Sequence, residues 1–133
     1  MRVALFIPCY IDQFYPNVGI ASLQLLQKLG CQVSFPLEQT CCGQPMANSG
    51  FASFSKGCDA NFVKNFTGFD YIVAPSGSCV LQVKEHLHDE AHPLEAEKIR
   101  NSVYELTEFL VDVLKVKTIK SSFPFKVGLH NSC

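Results

Sequence analysis

The strand predicted over residues 2–8 is one basic residue followed by an unbroken apolar run, Val3-Ala4-Leu5-Phe6-Ile7-Pro8. A run without alternation marks a strand covered on both faces. Pro16 opens a helix, because proline suits a first turn. Val18, Ala21, Leu25 and Leu29 recur at helical spacing, Leu26 widens the stripe, and Gly30 stops it. Residues 31–36 read as a second short strand, and 37–50 as a loop by their glycine, proline and asparagine content. Phe51, Phe54, Cys58, Phe62 and Phe66 line one face of a second predicted helix that Gly68 ends, and at that spacing they are core.

A third strand is predicted over residues 69–74, with a third helix starting near Ser78 and running through Leu81 and His88. Residues 84–100 hold eight charged side chains and Pro93, the composition of an exposed connection. His86, His88 and His92 fall within it and read as solvated surface. Ser102 with Glu105 three residues on is a capping box for a fourth helix, whose stripe is Val103, Leu106, Leu110 and Val113. Residues 126–130 begin a fourth strand. Strands alternating with helical crossovers predict an α/β fold, an open parallel sheet with helices on both faces. A weak echo relates Arg2-Val3-Ala4-Leu5 and Cys9 to Lys126-Val127-Gly128-Leu129 and Cys133, the cysteine six residues after the valine in both. The echo suggests a duplicated unit, with residues 1–122 as a first α/β domain and 123–133 as the opening strand of a second, truncated copy.

The 133 residues are 47% apolar, enough to fill a core and exclude disorder. Eleven basic residues against twelve acidic ones remove the usual footprint of nucleic-acid binding. No apolar run approaches the roughly 20 residues of a membrane-spanning helix. The opening run is too short for a signal peptide and Asp12 soon follows, so a cytoplasmic protein is expected. Charged residues are 17% of the chain, against roughly 25% on average. That deficit predicts a surface partly covered by a partner or by further chain, and self-association of this chain alone. No glycine-rich dinucleotide fingerprint and no phosphate-loop lysine motif follow any strand.

Seven cysteines are the anomaly. Where thiols stay reduced, surplus cysteines are more often metal ligands or redox groups than disulfides. Cys9, Cys41-Cys42, Cys79 and Cys133 all follow the carboxyl end of a predicted strand. In open parallel sheets, sites form in the crevice outside those ends. Cys31 starts a strand and Cys58 lies on an apolar helical stripe, so both read as packing. Adjacent cysteines diverge on regular structure, whereas a turn at Gly43 would let both thiolates face one cavity. Thiolate-rich sites select iron–sulfur clusters or zinc.

Cys9, then 31 residues, then Cys41-Cys42-Gly43, then about as many to Ser76-Gly77-Ser78-Cys79, resembles the CCG cysteine-rich domain family. Its members include iron–sulfur subunits of the heterodisulfide reductase and glycolate oxidase type. The stretches Ile7-Pro8-Cys9-Tyr10, Thr40-Cys41-Cys42-Gly43-Gln44-Pro45 and His130-Asn131-Ser132-Cys133 look most like the N-terminal half of its lactate-utilization branch. The resemblance implies two such units per chain and an iron–sulfur-binding, electron-transfer subunit of an oxidoreductase complex. In this branch the complex oxidises L-lactate, a 2-hydroxy acid, and the subunit is inactive without the others. Carried over residue by residue, the resemblance implies Cys9, Cys41, Cys42 and Cys79 as cofactor-binding metal ligands. The implied cofactor is a cluster of the 4Fe-4S type, with zinc in an assembly domain without redox activity as the alternative. Ser76 departs from the family, standing in the first slot of its Cys-x-x-Cys motif.

Overall fold

A computed structural model of the chain describes residues 1–129. Four short strands, β1 (Arg2–Leu5), β2 (Gln32–Ser34), β3 (Tyr71–Ala74) and β4 (Val103–Glu105), form one sheet in the order β2-β1-β3-β4. Every pairing is parallel: Val3 lies opposite Val33 and Tyr71, and Ile72 lies opposite Val103. The α/β open sheet is therefore the fold, and both of its faces are covered by helices. The central strand shows why its sequence lacks alternation. Ala4 and Phe6 enter one core while Val3 and Leu5 enter the other, and each of the four is at most 1% exposed.

Helix α1 (Cys9–Phe14) follows β1, and α2 (Pro16–Lys28) crosses to β2 on one face. Leu26 and Ile11 pack there with Phe109 and Leu110. A short α3 (Gln44–Asn48) and a 3-10 turn (Ala52–Ser55) lead into α4 (Lys56–Phe66). With α5 (Gly77–His86) and α6 (Pro93–Ser102), α4 covers the opposite face. There Phe6 meets Phe62 edge-on at 4.9 Å and Phe66 at 5.6 Å between ring centroids. α7 (Leu106–Glu108) and a π-turn (Phe109–Val113) end the regular structure.

Several expectations change. α2 turns a different face inward from the predicted Val18–Ala21–Leu25–Leu29 stripe: Gly19, Ser22 and Leu26 are its buried residues. A Cβ on Gly19 would stand 3.2 Å from Ile7 Cδ1, so glycine lets the helix approach the sheet there. Phe51 and Phe54, expected in the core, are 58% and 71% exposed, because the 3-10 turn breaks the helical period that would carry them inward. Cys58 is half-buried and belongs to neither hydrophobic core, whereas Cys31 is buried as expected. The charged connection is not open coil. α6 lies within it, hiding Ala96 and Ile99 among outward charges, with Pro93 in its first turn. The Asp89 carboxylate ahead of α6 accepts from the Ala91 N–H at 2.9 Å and faces His92 Nδ1 at 3.1 Å.

The capping box forms one turn later than predicted, between Glu105 and Glu108. Val103 does not start a helix, because as β4 it completes the sheet beside Ile72 and is fully buried. Residues 126–129 pair with neither sheet edge and carry no strand, and a parallel strand is held by its neighbours' hydrogen bonds. Val127 and Leu129 are exposed. Cys133, the last member of the echo, lies outside the described residues.

Candidate functional site

The strand order reverses direction between β1 and β3: the chain steps from β1 to β2 on one side, then returns to β3 on the other. Such a switch point opens a crevice beyond the strands' carboxyl ends. Cys9 follows β1, Cys79 follows β3, and Cys41-Cys42 come from the segment after β2. Gln39 ties two of these arms together. Its amide oxygen accepts from Ile7 N–H at 2.8 Å, and its nitrogen donates to Leu5 O at 3.1 Å and Pro36 O at 2.9 Å.

Gly43, at φ +84°, turns the chain straight after the cysteine pair and into α3. A Cβ at that position would lie 2.9 Å from Ser55 Cβ and 3.8 Å from Cys58 Cβ. Both the left-handed backbone and the close approach of α4's leading turn require glycine there.

The four expected cysteines meet at this edge as two pairs. The Cys9 thiol donates to Cys41 Sγ at 3.5 Å, and this outer pair is reachable from solvent: Cys9 is exposed and Cys41 half-buried. Gly43 N–H also donates to Cys41 Sγ, at 3.4 Å. The inner pair, Cys42 and Cys79, is 5% and 3% exposed and belongs to the core over α4 and α5. Cys42 and Cys79 influence each other's acidity: the neighbouring Cys79 sulfur and burial push the Cys42 thiol up, while Cys42 pulls Cys79 down. Hydroxyls of Ser76 and Ser78 also favour the Cys79 thiolate, against its burial. Partial burial chiefly raises Cys9, with the Cys41 contact next and the charge of Cys79 adding to it. The pairs are thus close enough to sense each other's charge.

Each cysteine sits at or beside a helix start: Cys9 opens α1, Cys41-Cys42 precede α3, and Cys79 lies in the first turn of α5. The partial positive charge there favours thiolates. Four soft, ionisable sulfurs held by three separate arms are a donor set of the kind that soft metal centres take, zinc and iron–sulfur groups alike. Among the described residues, no three His, Cys, Asp or Glu side chains converge as ligands of a single ion. Ser76 is buried and engaged: it accepts from Tyr10 Oη at 3.1 Å and bonds toward Cys79. His86, His88 and His92 are exposed, in keeping with the surface reading, His86 beside Glu85 and His92 beside Asp89.

Sequence reasoning missed three neighbours of the site. Gln44 accepts from Cys79 Sγ at 3.9 Å and donates to Ser78 O at 3.4 Å. Tyr10 reaches Ser76, and Cys58 stands behind Gly43, its thiol raised by burial and by the Cys41 charge. Only adjacency to a cysteine could have flagged Gln44 and Tyr10, and nothing in the spacing places Cys58.

The chain is 44% identical over its whole length to lactate utilization protein A of Geobacillus thermodenitrificans (strain NG80-2), covering 57% of that protein. It is 45% identical to the Geobacillus kaustophilus (strain HTA426) protein of the same name and 46% to that of Halalkalibacterium halodurans, covering 57% and 56% of them. It therefore spans a little over half the length of these relatives. No solved structure matches it. No described helix is long and apolar enough to cross a membrane. Residues 3–84, which carry all four cysteines of the two pairs, match the cysteine-rich domain CCG, and the chain belongs to that family.

Proposed function

We propose that the chain is an electron-transfer component of a complex that oxidises L-lactate, holding an iron–sulfur cluster of the 4Fe-4S type on Cys9, Cys41, Cys42 and Cys79. The observation that carries this reading is that thiols far apart in sequence gather at the switch point, Cys9 against Cys41 and Cys42 buried in one core with Cys79. The relatives named for lactate utilization support the substrate. When bound, such a cluster supplies reversible one-electron chemistry. The chain's part is positional. The Gln39 bridge holds the arms of Cys9 and Cys41 together, the turn at Gly43 presents adjacent sulfurs, and Ser76 with Ser78 stabilises the Cys79 thiolate. The helix starts offset the negative charge that thiolate ligation concentrates. Two separate sulfur pairs suit a centre of several metal atoms better than one tetrahedral zinc.

In this role the chain works in the cytoplasm beside further subunits. Anaerobic purification with iron, sulfide and zinc analysis tests the cofactor. Broad visible absorption with iron and sulfide is expected, and colourless protein holding only zinc would overturn it. Cys41→Ser and Cys42→Ser should each lose most of the metal, whereas Cys31→Ser should keep it at a cost in stability, because buried Cys31 only packs. Equal metal loss from all three would overturn the assignment. Alone, the chain should show no lactate-dependent reduction of an artificial acceptor, and turnover would place the catalytic machinery wrongly.

A further inference from the structure

The two sulfur pairs differ in one respect that ligation does not require. The outer pair, Cys9 and Cys41, opens to solvent, while Cys42 and Cys79 are sealed in the core. From the contact between Cys9 and Cys41 we infer that this pair is a peroxide-responsive dithiol, closing to a disulfide when the site is metal-free while the inner pair stays reduced. Only the consequence for iron loading rests on the function proposed above; the bond itself does not.

The geometry favours this pairing over others. The sulfurs are already 3.5 Å apart, and a disulfide needs about 2.05 Å, so about 1.5 Å of approach remains. The Cys41 sulfur accepts from both the Cys9 thiol and Gly43 N–H, so it is held facing its partner. Its arm and that of Cys9 are tied by Gln39, which limits the movement needed. Cys58, behind Gly43, is the competing thiol for Cys41, but no sulfur–sulfur hydrogen bond joins them among the described residues.

The chemistry balances with a hydroperoxide as the oxidant. The Cys41 thiolate attacks one peroxide oxygen, the O–O bond breaks, and hydroxide leaves, taking up the proton that Cys41 lost to become water. Cys41 is then a sulfenic acid. The Cys9 sulfur displaces its hydroxyl, which leaves as a second water with the Cys9 proton. Two thiols are oxidised by two electrons and one peroxide is reduced to two waters. The disulfide removes two of four ligands at once, and a dithiol reductant restores them.

The test uses the full chain, reduced, stripped of metal with a chelator, and exposed to stoichiometric hydrogen peroxide. Intact mass should fall by two hydrogens, and peptide mapping under acid quench should link Cys9 to Cys41. Iron uptake during anaerobic reconstitution should be largely lost after oxidation and regained after a dithiol reductant. Cys9→Ser should leave Cys41 as a sulfenic acid trapped by a cyclic diketone, with unchanged circular dichroism showing that the variant folds. A Cys41–Cys58 or Cys42–Cys79 link, or no link in protein that loads iron when reduced, would overturn the inference. A Cys9–Cys41 link in protein that never takes up iron would support it and overturn the proposed cofactor instead.

Discussion

Replacing Gly43 with alanine separates two demands that the cysteine turn makes on its backbone. The first is conformational: at φ +84° an alanine costs about 1–2 kcal/mol relative to glycine. The second is steric, since the new Cβ would sit 2.9 Å from Ser55 Cβ, an atom close to the backbone that cannot swing away. Overpacking of that kind adds about 1–3 kcal/mol. Gly30 supplies the control, because its φ is +85° and nothing lies within 4 Å of the place a Cβ would take there. Gly43→Ala should therefore lose about 1–3 kcal/mol more than Gly30→Ala, the shared backbone strain cancelling. Urea unfolding of both variants in reductant, followed by circular dichroism, measures the difference. Ser55→Gly in a double-mutant cycle with Gly43→Ala should recover the steric part alone. Iron uptake should fall in Gly43→Ala and not in Gly30→Ala, because only the first shifts Cys41 and Cys42. Equal stability losses and no coupling to Ser55 would refute the account of the turn.

Burial raises the Asp59 carboxyl, opposed by a hydrogen bond from the His88 backbone and by the His88 charge. The stability linked to its protonated form is full below the ordinary value of 3.8 and is lost as pH rises through the raised folded value. Asp59→Asn should keep the contact, remove the buried charge, and abolish that part of the decline in urea midpoint with pH. A parallel pH profile for the two proteins would show that Asp59 does not carry it. Phe6→Ala should cost about 3–5 kcal/mol, since its ring is fully buried between Phe62 and Phe66; a chemical-denaturation loss under about 1 kcal/mol would contradict the packing. Ser76→Cys should raise iron and sulfide content after reconstitution, and unchanged content would count against its place in the first slot of the Cys-x-x-Cys motif. Leu37, Phe54, Phe123, Phe125 and Leu129 are each more than two-thirds exposed, so the isolated chain should self-associate in sedimentation; a monomer at high concentration would argue against it.

Local pattern determined the sheet and the gathering of the cysteines. A short continuous apolar run fits a strand covered twice, and α/β alternation favours parallel strands whose carboxyl ends share an edge. Those rules alone bring Cys9, Cys41, Cys42 and Cys79 together, and they put Cys31 in the core. Other features depended on contacts between segments distant in the chain. Val103 reads equally well as the start of a helical stripe, and becomes β4 only because Ile72 leaves an open hydrogen-bonding edge beside it. α6 carries too few apolar residues to announce itself, yet Ala96 and Ile99 suffice once α4 and β3 lie beneath them. The inward face of α2 is set by how closely Gly19 can approach Ile7, a distance that helical periodicity does not encode. The division of the site into a sealed pair and an open pair is likewise tertiary. Adjacent Cys41 and Cys42 have the same chemistry, and only the turn at Gly43 directs one sulfur toward exposed Cys9 and the other toward buried Cys79.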